Sequence, residues 1–127
     1  MTEEHPRKRC FIIAPIGSLG SDTRRRSDQV LKHIISPALE PLGYQVTRAD
    51  MISEPGIITQ QIVQRVMDDE LVVADLTGRN PNVFYELAVR HLIRKPVILI
   101  QQSGEDIPFD VNVSRVIQFD HTDLSTC

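Results

Sequence analysis

The chain has 127 residues, enough for one domain with a single core of ordinary proportions, and its 41% apolar and 24% charged content is that of a soluble globular protein. A formal charge of −3, a pI near 5.7, 5% aromatic residues and no Trp exclude a nucleic-acid surface built on bulk charge or base stacking. The polar start from Met1 to Arg9, and the lack of any apolar stretch of spanning length, predict a cytoplasmic protein without membrane contact.

Residues 1–9 read as a polar tail, 10–120 as one α/β domain and 121–127 as a second tail, which is also where a longer protein would continue. Cys10 to Pro15 is a continuous apolar run stopped by proline, as in a central buried strand; Cys10 reads as a buried free thiol, consistent with a reducing compartment. A Gly/Ser loop, Gly17 to Asp22, and three arginines, Arg24 to Arg26, follow. Ser27 to Leu42 has helical spacing (Val30, Ile34, Ile35, Ala38, Leu39), with Pro37 expected to kink it near Ser36. After the Gly43 stop signal, Tyr44 to Arg48 predicts a second strand. Pro55-Gly56 opens a second helix bearing Ile58, Ile62, Val63 and Val66. Leu71 to Leu76 is the third strand. Pro81 to Arg94 is the third helix, with Asn80 as N-cap and Arg90, Arg94 and Lys95 suiting its negative end. Pro96 to Gln101 and Val113 to Asp120 supply strands four and five, and Gln102 to Val111 reads as a flap over the site.

Strands alternating with helices, joined by right-handed crossovers, predict a flavodoxin-like three-layer sandwich: a five-stranded parallel sheet of order 2-1-3-4-5. In that order the loops after strands one and three are neighbours at the switch point. Asp75, at the carboxyl end of strand three, and Glu86, whose side chain tilts toward its helix N-terminus, would then face the Gly/Ser/Arg loop across a crevice. Each residue also has a plainer reading. Glu86 with Arg90 four residues on matches a surface ion pair, and Asp75 matches a side chain closing its own turn. The loop Gly17-Ser18-Leu19-Gly20-Ser21, with Arg24 or Arg26, could cradle a phosphate, although it matches neither the P-loop nor the dinucleotide pattern. Asn80 and Asn82 bring a cap and amides beside the carboxylate. The four histidines and two cysteines share no ligand spacing, so no metal site is expected.

Ala74-Asp75-Leu76-Thr77, Asn80 to Leu87 and Lys95-Pro96-Val97 together resemble the core of the nucleoside 2-deoxyribosyltransferase-like group, which shares its sheet with TIR domains. Phe11 to Pro15 resembles that group's first strand, and Ile107 to Asp110 resembles a feature of bacterial TIR-like relatives. The resemblance implies a helical Glu nucleophile, carried onto Glu86, acting on the anomeric carbon of a ribosyl group. It also implies substrate contacts from the loop after strand one. Several positions depart from the group. Asn80 stands where a second acid is common, Ala88 replaces a glycine, Phe84-Tyr85 are bulky, and Ile62 lies near an orienting Asp position with only Gln61 and Gln64 beside it. Weak base activation suits an already cationic leaving group, which tilts the expectation toward NAD or another nucleotide as substrate.

The resulting expectation is an N-glycosidic bond hydrolase or transferase without a cofactor, acting on NAD or a nucleoside phosphate as a homo-oligomer. Glu86 and Asp75 form its catalytic pair. Ile16, Gly17, Ser18, Arg24, Arg26, Asn80 and Asn82 bind substrate, and Glu86 is ionised with an ordinary or lowered pKa. The alternative is a non-catalytic TIR-like module that senses a nucleotide or self-assembles, as in bacterial antiviral defence signalling.

Overall fold

The structure is a computed structural model and describes residues 7–54, 57–103 and 116–119. Five strands, β1 (Lys8–Ile13), β2 (Tyr44–Arg48), β3 (Leu71–Asp75), β4 (Val97–Gln102) and β5 (Val116–Phe119), form one sheet in the order β2-β1-β3-β4-β5. Every pairing is parallel, as a flavodoxin-like sheet requires. β1 lies between β2 and β3, with Phe11 opposite Thr47 on one side and Val72 on the other.

Period-two alternation divides the core between the two faces of the sheet. Phe11, Ile13, Val72 and Ala74 pack with Ile62 and Val66 of α3 (Gln60–Asp68) and with Val83 and Leu87 of α4 (Pro81–Leu92). Cys10, Ile12, Leu71 and Val73 pack on the opposite face with Val30 of α1 (Asp22–Val30) and Leu39 of α2 (Ser36–Leu39). Cys10 is a fully buried free thiol, and burial first, then the charge of Asp69, pushes its pKa up to about 12.

Three boundaries depart from expectation. The first helix begins at Asp22, not Ser27, because Ser21 caps it: its Oγ accepts from the Arg24 amide at 3.1 Å. The arginines are therefore inside its first turns. Between α1 and α2 a π-helical segment, Leu31–Ile35, lets the Ser36 amide bond the Leu31 carbonyl. This wider turn accommodates Pro37, which has no N–H to donate and whose ring would crowd the preceding turn. α3 begins at Gln60, with Thr59 Oγ1 accepting from the Ile62 amide at 3.3 Å; Pro55 and Gly56 lie outside the described residues. So do residues 104–115, which hold most of the proposed flap, the Ile107 to Asp110 stretch and the start of the expected fifth strand.

Candidate active site

A cavity of about 700 Å³ opens at the carboxyl ends of β2, β1 and β3, a volume typical of small-molecule sites. Its wall takes Ala14 and Ile16 to Leu19 from the loop after β1, and Arg24 from α1. Ala49, Asp50, Glu54, Ile57 and Ile58 come from the segment after β2, Ile62 from α3, and Asn80, Asn82 and Glu86 from the start of α4. The predicted Ile16, Gly17, Ser18, Arg24, Asn80, Asn82 and Glu86 therefore converge on one space. Asp75 and Arg26 are not among the residues lining it.

The loop after β1 is shaped by its own polar groups. Gly17 has φ +70°, and a Cβ there would lie 2.8 Å from Ser21 Oγ and 2.9 Å from Thr23 Cβ, so the close turn requires glycine. Ser21 Oγ donates to the Ser18 carbonyl at 2.7 Å. Arg24 Nη2 donates to the Gly17 carbonyl at 3.4 Å, and Arg25 Nη1 to the Gly20 carbonyl at 3.1 Å while pairing with Asp22. The arginines thus tether loop carbonyls, which offsets part of their unfavourable placement at a helix start.

Glu86 is buried, with 7% of its surface exposed, yet no cation or donor among the described residues partners its carboxylate. The ion-pair reading with Arg90 fails. That guanidinium is fully buried and committed elsewhere, donating to the Val66 and Asp69 carbonyls at 3.0 and 2.7 Å and to the Pro96 carbonyl at 3.1 and 2.9 Å. The helix-start amides are also taken: Asn80 Oδ1 accepts from Asn82 N at 2.9 Å and Val83 N at 3.4 Å. Burial without compensation pushes the Glu86 carboxyl up to about 7, which corrects the expectation of an ordinary or lowered value.

Asp75 is 2% exposed, and its Oδ1 accepts from the Thr77 amide at 3.0 Å, as the turn-closing reading expected. Thr77 Oγ1 in turn accepts from the Gln102 amide at 2.9 Å, tying this turn to the end of β4. The bulky departures stay clear of the cavity: Phe84 packs against the core, Tyr85 is exposed, and Ala88 is exposed.

Neither a protein-family model nor a curated protein sequence matches the chain. A similar solved structure is the Clostridium botulinum CMP N-glycosidase BcmB, with a TM-score of 0.64 and 16% identity over 94% of this chain and 96% of that one. At this identity the likeness establishes a shared fold across nearly the whole of both chains.

Two acidic lining residues, Asp50 and Glu54, escaped sequence reasoning. Asp50 follows β2, and its carboxylate is gripped by Arg48, Nε to Oδ1 at 2.6 Å and Nη2 to Oδ2 at 3.0 Å. Arg48 is itself buried and further held by Ser27 Oγ at 2.9 Å and Asp28 Oδ1 at 2.7 Å, both on α1. Burial raises the Asp50 pKa, but the Arg48 hydrogen bonds and the charges of Arg48 and Arg24 outweigh it and hold the carboxyl below its usual range. The available signal was an acid just past a strand end, the same signal that marked Asp75. The Asp50 anchor, Arg48, is a sequence neighbour, but the groups that hold Arg48 in turn, Ser27 and Asp28, lie some twenty residues away, where no local motif could show them.

Proposed function

We propose that this chain cleaves the N-glycosidic bond of a nucleotide, NAD or a nucleoside phosphate, with Glu86 as nucleophile. The observation that carries the reading is a buried, unpartnered carboxylate in the wall of a nucleotide-sized cavity at the switch point. The fold shared with an N-glycosidase supports it.

A Glu86 oxygen forms a bond to C1′ as the C1′–N bond breaks, and its electron pair leaves with the base. Water, or another base, then attacks C1′ and releases the carboxylate. The transition state places positive charge on the sugar, and an anion in a water-poor wall attracts that charge far more strongly than one in solvent. The ionised form must be generated first, and a value near 7 leaves a substantial share ionised at neutral pH. A neutral base departs as an anion and needs a proton from solvent; a nicotinamide leaves neutral and does not.

In this scheme Asn80, whose Oδ1 is engaged in capping, offers its amide N–H groups to a ribose hydroxyl, with Asn82 beside it. Ser18 and Arg24 hold phosphate. Arg26 is absent from the described wall, and Asp75 shapes the turn into α4.

Glu86→Gln should lower base release from NAD or a nucleoside monophosphate by at least 10³-fold, on the order expected for a lost nucleophile, while nucleotide binding persists. Chromatographic detection of free base tests this. Undiminished release would remove Glu86 from the mechanism.

A further inference from the structure

We infer that Asp50 is a specificity-determining residue that selects substrates whose base carries an exocyclic amino group. The inference rests on the N-glycosidase reading of the same cavity and names the base class it takes.

β1 separates β2 from β3, so Ala49 and Asp50, directly after β2, lie about two strand spacings, or roughly 10 Å, from the strand end that leads into α4. The α4 side is polar, with Asn80, Asn82 and Glu86, and suits a sugar whose C1′ meets Glu86. The side after β2 presents Ala49, Ile57 and Ile58, an apolar wall for the faces of a planar base. Within that apolar stretch the polar group nearest in sequence is Asp50, fixed in place by the two Arg48 bonds. Glu54 is solvent-exposed and has no such anchor among the described residues.

An ionised carboxylate only accepts hydrogen bonds. It has about four lone-pair positions, of which Arg48 occupies two and the Asp50 amide engages another. The remaining position matches one N–H of an N–H₂ donor, as on a cytosine, an adenine or a carboxamide. A keto oxygen in the same position would set lone pair against lone pair. Because Arg48 is itself locked to Ser27 and Asp28 on α1, the carboxylate cannot readily swing away from a mismatched base. Asn at this position would both donate and accept, and so would lose the preference.

The test uses Glu86→Gln protein, which removes turnover, and calorimetric titration with two matched pairs, CMP against UMP and AMP against IMP. The amino member of at least one pair should bind roughly 10- to 100-fold more tightly, the discrimination typical of well-placed base contacts. In the Glu86→Gln/Asp50→Asn protein the ratio should fall below about 3-fold. Equal or reversed preference before Asp50 is changed, a preference that survives its change, or binding of none of the four would each overturn the inference. The pair ratio needs no Asp50 variant, so poor folding of that variant leaves the question decidable. Base release by the wild-type chain with no amino preference would leave the glycosidase reading standing and this inference defeated. Amino-selective binding with no base release from any substrate would do the reverse.

Discussion

Glu86 illustrates a side chain that works against the stability of its own fold. Its carboxyl has an ordinary value of 4.5 and a folded value of about 7. Between those values the folded state holds more protons than the unfolded one, so stability falls as pH rises through the window. The penalty is absent below the lower value and complete above the upper, amounting to at most about 3 kcal/mol. Glu86→Gln should therefore be more stable than wild type at pH 8 by up to that amount and nearly equal at pH 4, as read from denaturant unfolding at both pH values. A difference independent of pH would show that the carboxylate is not paying a burial penalty. Catalysis carries the opposite sign. If the ionised form attacks, kcat/KM rises about tenfold per pH unit below 7 and levels above it. A profile that instead falls above 7 would make Glu86 a proton donor. Its placement in the wall was legible from strand, turn and helix spacing. Its pKa was not, because it depends on Arg90 being drawn away to carbonyls of Val66, Asp69 and Pro96, three contacts distant in sequence or beyond the helix.

At the scale of elements, the loop after β1 and the cap of α1 behave as one unit. Ser21 accepts from the Arg24 amide and donates to the Ser18 carbonyl, and Gly17 fits against both Ser21 and Thr23. Gly17→Ala meets a positive φ and two sub-3 Å contacts, so it should cost about 1–3 kcal/mol of stability. Because Ser18 and Arg24 move with the loop, KM for a nucleotide should rise more than kcat falls. Thermal unfolding and steady-state kinetics check both parts, and a variant with unchanged KM would detach this loop from binding. The elements themselves were legible where apolar residues mark a period. β1 to β4 and α4 follow their runs closely. The start of α1 was missed because Asp22 to Arg26 contains no apolar residue, so only the Ser21 cap announces the helix. The start of α3 was placed early because Pro55-Gly56 is a strong punctuator, whereas Thr59 caps the helix four residues after that proline.

For the whole molecule, strand order does the organising: it brings three separate loops to one crevice, and it followed from the alternation of strands and helices. Residue-level partners across that crevice did not follow: Arg48 is a sequence neighbour of Asp50, but its fixing by Ser27 and Asp28 of α1 emerges only in three dimensions. Charge is the remaining whole-molecule property. A chain of net charge −3 offers no long-range attraction to a phosphate dianion, and the cavity adds Asp50, Glu54 and Glu86. Among the described residues lining it, Arg24 is the cation, so recognition of phosphate in the proposed reaction depends on this local contact. Arg24→Ala should raise KM for a nucleoside monophosphate by about 10- to 100-fold, the loss expected for a charge-assisted hydrogen bond, while the matching nucleoside is handled as before. Higher ionic strength should weaken the wild-type response to the nucleotide and leave the variant's nearly flat. Parallel kinetics on nucleotide and nucleoside at two salt concentrations separate this role from another that the geometry offers. Arg24 also donates to the Gly17 carbonyl, and if its work is to hold the loop, both substrates will suffer equally and salt will not distinguish the two proteins.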